Sequence, residues 1–314
     1  MRTNALLPLP VAVIGAGAVG CYYAGLLAQA ALPVTLIGRG AAFAALKAHG
    51  LRIESGGHTN TIPIQAADTP AAARDAALVL VCVKSSDTAE AARALKPYLR
   101  PDALVVGLQN GVTNGDELLA GLPQQVVPAA VYVATVLAGP AHVQHHGGGA
   151  LVIGSPRGRP VSQAQLNALV SLFSKANIPV TVSEDIRAVL WGKLVVNCAY
   201  NALSAITQND YGTLVAAQPI RSVMQAVIQE AATVARALDI DLGESLEDRV
   251  LAVSKMMPKQ LSSTAQDVAR QRPTEIDHLN GHLAREGRRL GIPTPVNSTL
   301  HALVRQLEDG YLKH

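Results

Sequence analysis

Three sets of residues have types and spacings that chemistry can use. Gly15-Ala16-Gly17-Ala18-Val19-Gly20 places glycines at the G-x-G-x-x-G spacing. That spacing is informative only between a strand and a helix. Here the β-branched run Val11–Ile14 precedes it and a helical pattern from about Ala18 to Ala31 follows. Gly15 then permits a tight turn, Gly17 lets backbone approach a pyrophosphate, and Gly20 allows close helix–strand packing. The helix start offers free N–H groups and partial positive charge to the phosphates. The second set is Lys193, Asn197 and Asn201, at i, i+4 and i+8. They share one helix face over about 12 Å, within apolar neighbours, so a polar stripe is buried or lines a cleft. A buried lysine is costly unless paired or functional. The third set is Lys84 and Asn110, each in a loop after an apolar strand, where open α/β sheets bind ligands.

Two further features refine this reading. An NAD site places Asp or Glu at the end of the second strand to accept from the ribose 2′-hydroxyl. This chain has Gly38-Arg39 there, with no carboxylate before Glu54. A guanidinium grips a 2′-phosphate with two charge-assisted bonds, so the sequence favours NADP. His142, His145 and His146 invite a metal reading. No carboxylate or thiolate partner stands nearby, however, and strand alternation splits the adjacent pair across two faces, so no metal is expected.

The elements that position these groups change character along the chain. Val11–Ile14, Val34–Ile37, Leu78–Val83 and Leu104–Leu108 read as buried strands. Ser86–Leu99, with Ser86 or Asp87 as cap, and Gln163–Ala176 read as helices. Leu51–Glu54 and Thr59–Ile64, joined across Ser55-Gly56-Gly57-His58, read as a hairpin inserted in the sheet. Val131–Leu137, Val143–His145 and Leu151–Ile153 extend the β-rich part. After Val180–Val182 the patterns are helical: past Leu194 from near Asp185, with Ser183 as cap, then Ile220–Leu238, Leu246–Met256, Glu275–Leu290 and Thr299–Leu307. The expectation is an α/β Rossmann-type N-terminal domain with a mostly parallel sheet (1–182) and an all-α C-terminal domain (183–314).

Composition sets the bounds. The 314 residues are 49% hydrophobic and 16% charged, which excludes a disordered chain. Lys plus Arg exceed Asp plus Glu by 26 to 23 without a basic tract, so no nucleic-acid partner is expected. Ala5 to Gly38 is nearly unbroken apolar sequence, but Pro8, Pro10 and Pro33 punctuate it and Arg2 alone makes a weak basic start. It reads as strand, turn and helix inside a domain, with no membrane partner. Cys21, Cys82 and Cys198 are too scattered for a disulfide framework and fit a reducing cytoplasm.

Together these residues resemble the ketopantoate reductase (2-dehydropantoate 2-reductase) family over essentially the whole chain. The resemblance rests on the glycine loop, Arg39, Lys84, Asn110-Gly111, the Lys193…Asn197…Asn201 helix, and Ser262-Ser263 upstream of Thr274-Glu275-Ile276-Asp277. It implies NADPH-dependent reduction of ketopantoate to pantoate, in pantothenate and coenzyme A biosynthesis, by a monomer or homodimer with its active site between a Rossmann and a helical domain. By resemblance, Lys193 is the catalytic lysine and Glu275 the active-site glutamate, which also serves the cofactor. Asn197 and Asn201 bind substrate, Ser263 binds its carboxylate, Asn110 bridges substrate and cofactor, and Lys84 lies on the cofactor side. Some members carry Asn where this chain has Tyr211, which predicts altered recognition at that edge of the site. Two alternatives stand beside this reading: a paralogue reducing another 2-oxo or 3-oxo acid, and a non-catalytic NADPH-binding sensor.

Overall fold

The four-residue runs Val11–Ile14, Val34–Ile37, Leu78–Val81 and Leu104–Gly107 are almost wholly buried, as a parallel sheet covered on both faces requires. The computed structural model describes residues 9–312, so Arg2 and Pro8 lie outside the described residues. The chain divides into two compact units, residues 1–186 and 187–314. In the first unit the strands are β1 (Val11–Ile14), β2 (Val34–Ile37), β3 (Leu51–Ser55), β4 (His58–Ile62), β5 (Gln65–Ala67), β6 (Leu78–Val81), β7 (Leu104–Gly107), β8 (Gln125–Gly139), β9 (His142–Gly154) and β10 (Val180–Ser183). Its helices are α1 (Ala18–Gln29), α2 (Gly40–His49), α3 (Thr88–Leu95), α4 (Asn114–Gly121) and α5 (Gln163–Lys175).

The sheet runs β4-β3-β9-β8-β7-β6-β1-β2-β5, with β10 added beside β9. Among the described residues only the β3–β4 and β8–β9 pairs are antiparallel. The mostly parallel sheet thus takes the expected form, and the apolar N-terminal stretch is β1, α1 and β2 inside it. The hairpin β3–β4 lies at an edge of the sheet and is not inserted among the parallel strands. The three separate runs read between Val131 and Ile153 are two long strands, β8 and β9, whose register shifts at Tyr132/Val133 and Ala134/Thr135. The helix expected over Ser86–Leu99 is shorter: a 3₁₀ turn, Ser85–Asp87, leads into α3. Four helices escaped the sequence reading, two of them in this unit and two, Tyr211–Ala216 and Ser263–Ala269, in the second. In α2 only Leu46 is buried among small residues, so no period of 3.6 is visible. In α4, Asn114-Gly115 reads locally as a turn.

The second unit is helical: α6 (Ile186–Thr207, whose first residue ends the first unit), α7 (Tyr211–Ala216), α8 (Gln218–Ala237), α9 (Leu246–Met256), α10 (Ser263–Ala269), α11 (Asn280–Leu290) and α12 (Pro295–Leu312). The helix expected over Glu275–Leu290 is broken. A 3₁₀ turn, Ile276–His278, precedes α11, and Leu279 adopts φ −110°, ψ −107° between them. Among the described residues α6 is the one helix long and apolar enough to cross a membrane, and 61% of that window is buried inside the protein.

Candidate active site

The glycine loop shows why each glycine stands where it does. Gly15 adopts φ +104°, and a Cβ there would lie 2.7 Å from the Cys82 carbonyl carbon. A Cβ on Gly20 would lie 1.9 Å from the Gly15 oxygen, so α1 can pack on β1 only with glycine. A Cβ on Gly17, by contrast, would meet nothing within 4 Å: this glycine leaves open space in front of the helix start. No side chain caps α1 at Gly17, so its first N–H groups are available to an anion. Gly15, Ala16, Gly17, Ala18, Val19 and Gly20 therefore form a cradle that a dinucleotide pyrophosphate fits.

Beside it, Gly15, Ala16, Gly38, Arg39 and Glu90 help to line a cleft of about 170 Å³. Gly38 is needed there, because a Cβ would lie 2.6 Å from that of Ala16. Arg39 ends β2 and is the N-cap residue of α2. Its Nη2 lies 3.3 Å from Glu90 Oε1, an ion pair that sequence order did not suggest.

Lys84 and Asn110 occupy equivalent places on neighbouring strands. Val81 pairs with Gly107 in the β6–β7 register, and each residue follows three positions later. Lys84 is exposed and Asn110 half-buried. Their loops are fixed by a buried polar network. Ser85 Oγ donates to the Asn110 carbonyl at 2.7 Å. Gln109 Nε2 donates to Thr88 Oγ1 at 2.6 Å, and Thr88 Oγ1 lies 2.7 Å from Asn114 Oδ1. Ser85, Thr88, Gln109 and Asn114 are all but inaccessible to solvent. The sequence reading passed over these four; the only available signal was their polarity beside apolar strands.

In the second unit, Lys193, Asn197 and Asn201 lie along α6. Lys193 and Asn197 are half-buried, and Asn201 is 3% exposed. Burial pushes the Lys193 ammonium down to about 8, against the opposing pull of the Glu275 carboxylate. Glu275 sits on a turn pinned from two sides. The Thr274 N–H donates to Glu308 Oε1 at 2.5 Å, and the Ile276 N–H donates to Thr274 Oγ1 at 3.2 Å. Glu308 is 1% exposed and pairs with Arg305 at 2.7 Å. Ser262 caps α10, accepting from the Ala265 N–H at 3.0 Å, while its hydroxyl donates to the Asn201 carbonyl at 3.3 Å. Ser263, first residue of α10, is thereby held exposed near the Asn201 end of α6.

Asn280 Nδ2 donates to the Cys198 carbonyl at 3.1 Å and to Asn297 Oδ1 at 2.9 Å. Asn297 in turn donates to Glu230 at 2.7 Å. These bonds tie α11 and α12 to α6 and α8, and Asn280, Asn297 and Glu230 drew no notice in the sequence.

Tyr211 departs from the expected position at a recognition edge. It is 8% exposed, its ring 4.4 Å from that of Tyr200, whose hydroxyl donates to the Val250 carbonyl at 3.0 Å. It packs the core of the helical unit. Two of the three histidines bond within the sheet: His145 contacts Ser55 Oγ at 3.0 Å and stacks on Tyr22, and His142 lies 3.5 Å from Glu54, while His146 is exposed. Among the described residues no three His, Cys, Asp or Glu side chains gather as a metal site.

A mostly parallel α/β sheet with an open glycine cradle at the first helix has the form of a dinucleotide-binding unit, and together with the helical unit that follows it matches a family of dinucleotide-binding oxidoreductases. Residues 11–158 match the family described as ketopantoate reductase PanE/ApbA, and residues 185–308 match its C-terminal part. The chain belongs to the ketopantoate reductase family. It is 34% identical over 302 residues to a 2-dehydropantoate 2-reductase of Halobacterium salinarum, covering 94% of this chain and 97% of that one. It is 33% identical over 301 residues to that of Archaeoglobus fulgidus, covering 96% and 98%. The crystal structure of a PanE/ApbA family ketopantoate reductase from Ralstonia eutropha JMP134 superposes with a TM-score of 0.90 at 48% identity, covering 98% of this chain and all of that one. A D-mandelate dehydrogenase shares the fold at 23% identity, with a TM-score of 0.89.

Proposed function

We propose that this protein reduces 2-dehydropantoate to pantoate with NADPH, serving pantothenate synthesis in a reducing cytoplasm. The observation that carries the chemistry is the half-buried Lys193 on the face of α6 shared with Asn197 and Asn201, its ammonium pushed down by burial and supported by the Glu275 carboxylate. The glycine cradle at α1 would hold the pyrophosphate and Arg39 a 2′-phosphate, with Lys84 and Asn110 on the loops that would meet the nicotinamide end. Bound there, the reduced nicotinamide supplies the hydride for the C2 carbonyl.

The chain's own groups manage the charge that results. As the C2 oxygen becomes an alkoxide, Lys193 stabilises it electrostatically and delivers a proton from Nζ. A lysine titrating near 8 is well matched to that task at neutral pH, because its proton is held yet readily given. Glu275 opposes the desolvation of Lys193 and so keeps the ammonium form populated. Asn197 and Asn201 offer amides to the substrate hydroxyl and Ser263 a hydroxyl to its carboxylate, without burying further charge. A sensor that only binds nucleotide has no use for a desolvated lysine on a polar helix face. The three cysteines are free and buried, in keeping with a reducing compartment.

The decisive assay follows NADPH oxidation across 2-oxo acids with branched, linear and aromatic side chains. We expect 2-dehydropantoate to give the highest kcat/KM. A tenfold preference for another 2-oxo acid would assign the protein to a different reductase, and no turnover with any would leave it a nucleotide-binding protein.

A further inference from the structure

Arg39 is the only cation among the residues lining the nucleotide cleft, and three carboxylates line it too: Asp68, Asp87 and Glu90. Asp68 follows β5, and Asp87 and Glu90 belong to the start of α3, so the fold gathers acids that are far from β2 in sequence. Of the three, Glu90 is the one bonded to Arg39: its Oε1 lies 3.4 Å from Nη1 and 3.3 Å from Nη2. The donors that would grip a 2′-phosphate are thus already engaged by a carboxylate of this chain.

We propose that Glu90 is a specificity-determining residue of the cofactor site, competing with the cofactor's 2′-phosphate for Arg39. Resting on the assignment of this cleft to the cofactor, the inference has two physical parts. A 2′-phosphate must displace the Glu90 carboxylate before it can take both guanidinium donors. Once bound, the phosphate carries about −1.5 to −2 charges beside that carboxylate. Both effects weaken the phosphorylated cofactor selectively, because an unphosphorylated ribose neither needs the donors nor repels the acid. Glu90 therefore lowers the discrimination that Arg39 alone would give. The side chains of Arg39 and Glu90 are 71% and 59% exposed, so the pair is weak and screened by salt. The handicap is accordingly modest.

The test measures binding of 2′,5′-ADP and 5′-AMP by calorimetry, with no turnover involved, to wild type, Glu90→Gln and Arg39→Ala. We expect Glu90→Gln to tighten 2′,5′-ADP about three- to tenfold at low salt, to move 5′-AMP by less than twofold, and to lose most of its gain at 0.5 M NaCl. Because Glu90 is exposed and lies in the first turn of α3, its replacement should cost only a small helix-dipole contribution and leave the fold intact. Equal effects on both nucleotides, or none on 2′,5′-ADP, would overturn the inference. The reading of Arg39 itself fails on a different result: wild type binding 5′-AMP as well as 2′,5′-ADP, with Arg39→Ala weakening neither. In that case Glu90 has no contact at Arg39 to compete for and the inference falls with that reading; where Arg39→Ala does weaken 2′,5′-ADP selectively, an unresponsive Glu90→Gln overturns the inference alone.

Discussion

At the scale of single residues, two side chains carry the proposed chemistry. Lys193→Ala should lower kcat by about 10²–10⁴-fold, the usual weight of a positioned proton donor. A loss below about fivefold in a folded variant would remove Lys193 from the mechanism. The acid must be protonated to act, so kcat/KM should be flat below and fall as pH rises through about 8, where burial has placed the group. Lys193→Arg keeps its charge well above that range and should lack this limb, whatever its absolute rate. Arg39 is the residue proposed to select the cofactor. One charge-assisted hydrogen bond contributes about 1.5–3 kcal/mol, or roughly 10–150-fold at 1.4 kcal/mol per tenfold. Glu90 takes part of that, so Arg39→Ala should raise the KM for NADPH toward the low end of the range while NADH is nearly indifferent. A common penalty on both cofactors would move the 2′-phosphate contact elsewhere, with Lys84 the next candidate.

At the scale of elements, short helices and turns hold the reactive groups by polar bonds that no periodicity announces. The Glu275 turn depends on Glu308 from α12, and the Lys84 and Asn110 loops depend on Thr88 from the start of α3. Tyr211 belongs to this level as well. It opens α7, where Asp210 caps the helix by accepting from the Thr213 N–H at 2.8 Å, and its ring fills space against Tyr200. Tyr211→Asn replaces a buried ring with a smaller amide lacking partners, and should destabilise the protein by about 2–4 kcal/mol. Denaturant midpoints would register this directly. A variant of unchanged stability but altered ranking among 2-oxo acids would return Tyr211 to the recognition edge first expected for it.

At the scale of the whole molecule, the helical core carries a pH dependence of its own. His282 on α11 is 8% exposed and lies edge-on to Trp191 at 5.8 Å between ring centroids. Burial pushes it down to about 4 from 6.5. The unfolded chain therefore binds a proton at this site between those values while the folded chain does not, and stability is lost as pH falls through that window. Between pH 7 and pH 5 the loss should be about 2 kcal/mol. His282→Gln has nothing to titrate and should flatten the urea-midpoint profile by that amount. A variant with the same slope as wild type would place the acid sensitivity in other groups.

Sequence alone determined those features that depend on local pattern. The glycine spacing after Val11–Ile14, the β-branched runs of the sheet and the i, i+4, i+8 polar stripe on α6 each follow from residues close together in the chain, where backbone geometry fixes the consequence. The hairpin's place at the sheet edge, the break before α11, and the helices α2, α4, α7 and α10 did not follow. Their boundaries are set by packing partners, and their compositions carry little period. Tertiary structure alone also decided the surroundings of the reactive groups. No spacing rule links Arg39 to Glu90, Gln109 to Thr88, Thr274 to Glu308 or Tyr211 to Tyr200, because each pair meets only once separate elements have packed. The sequence named Arg39 as a cation without a nearby acid; the fold supplied that acid from 51 residues away. Long-range charge and burial are properties of three-dimensional proximity, and they tune groups whose identity the sequence had already declared.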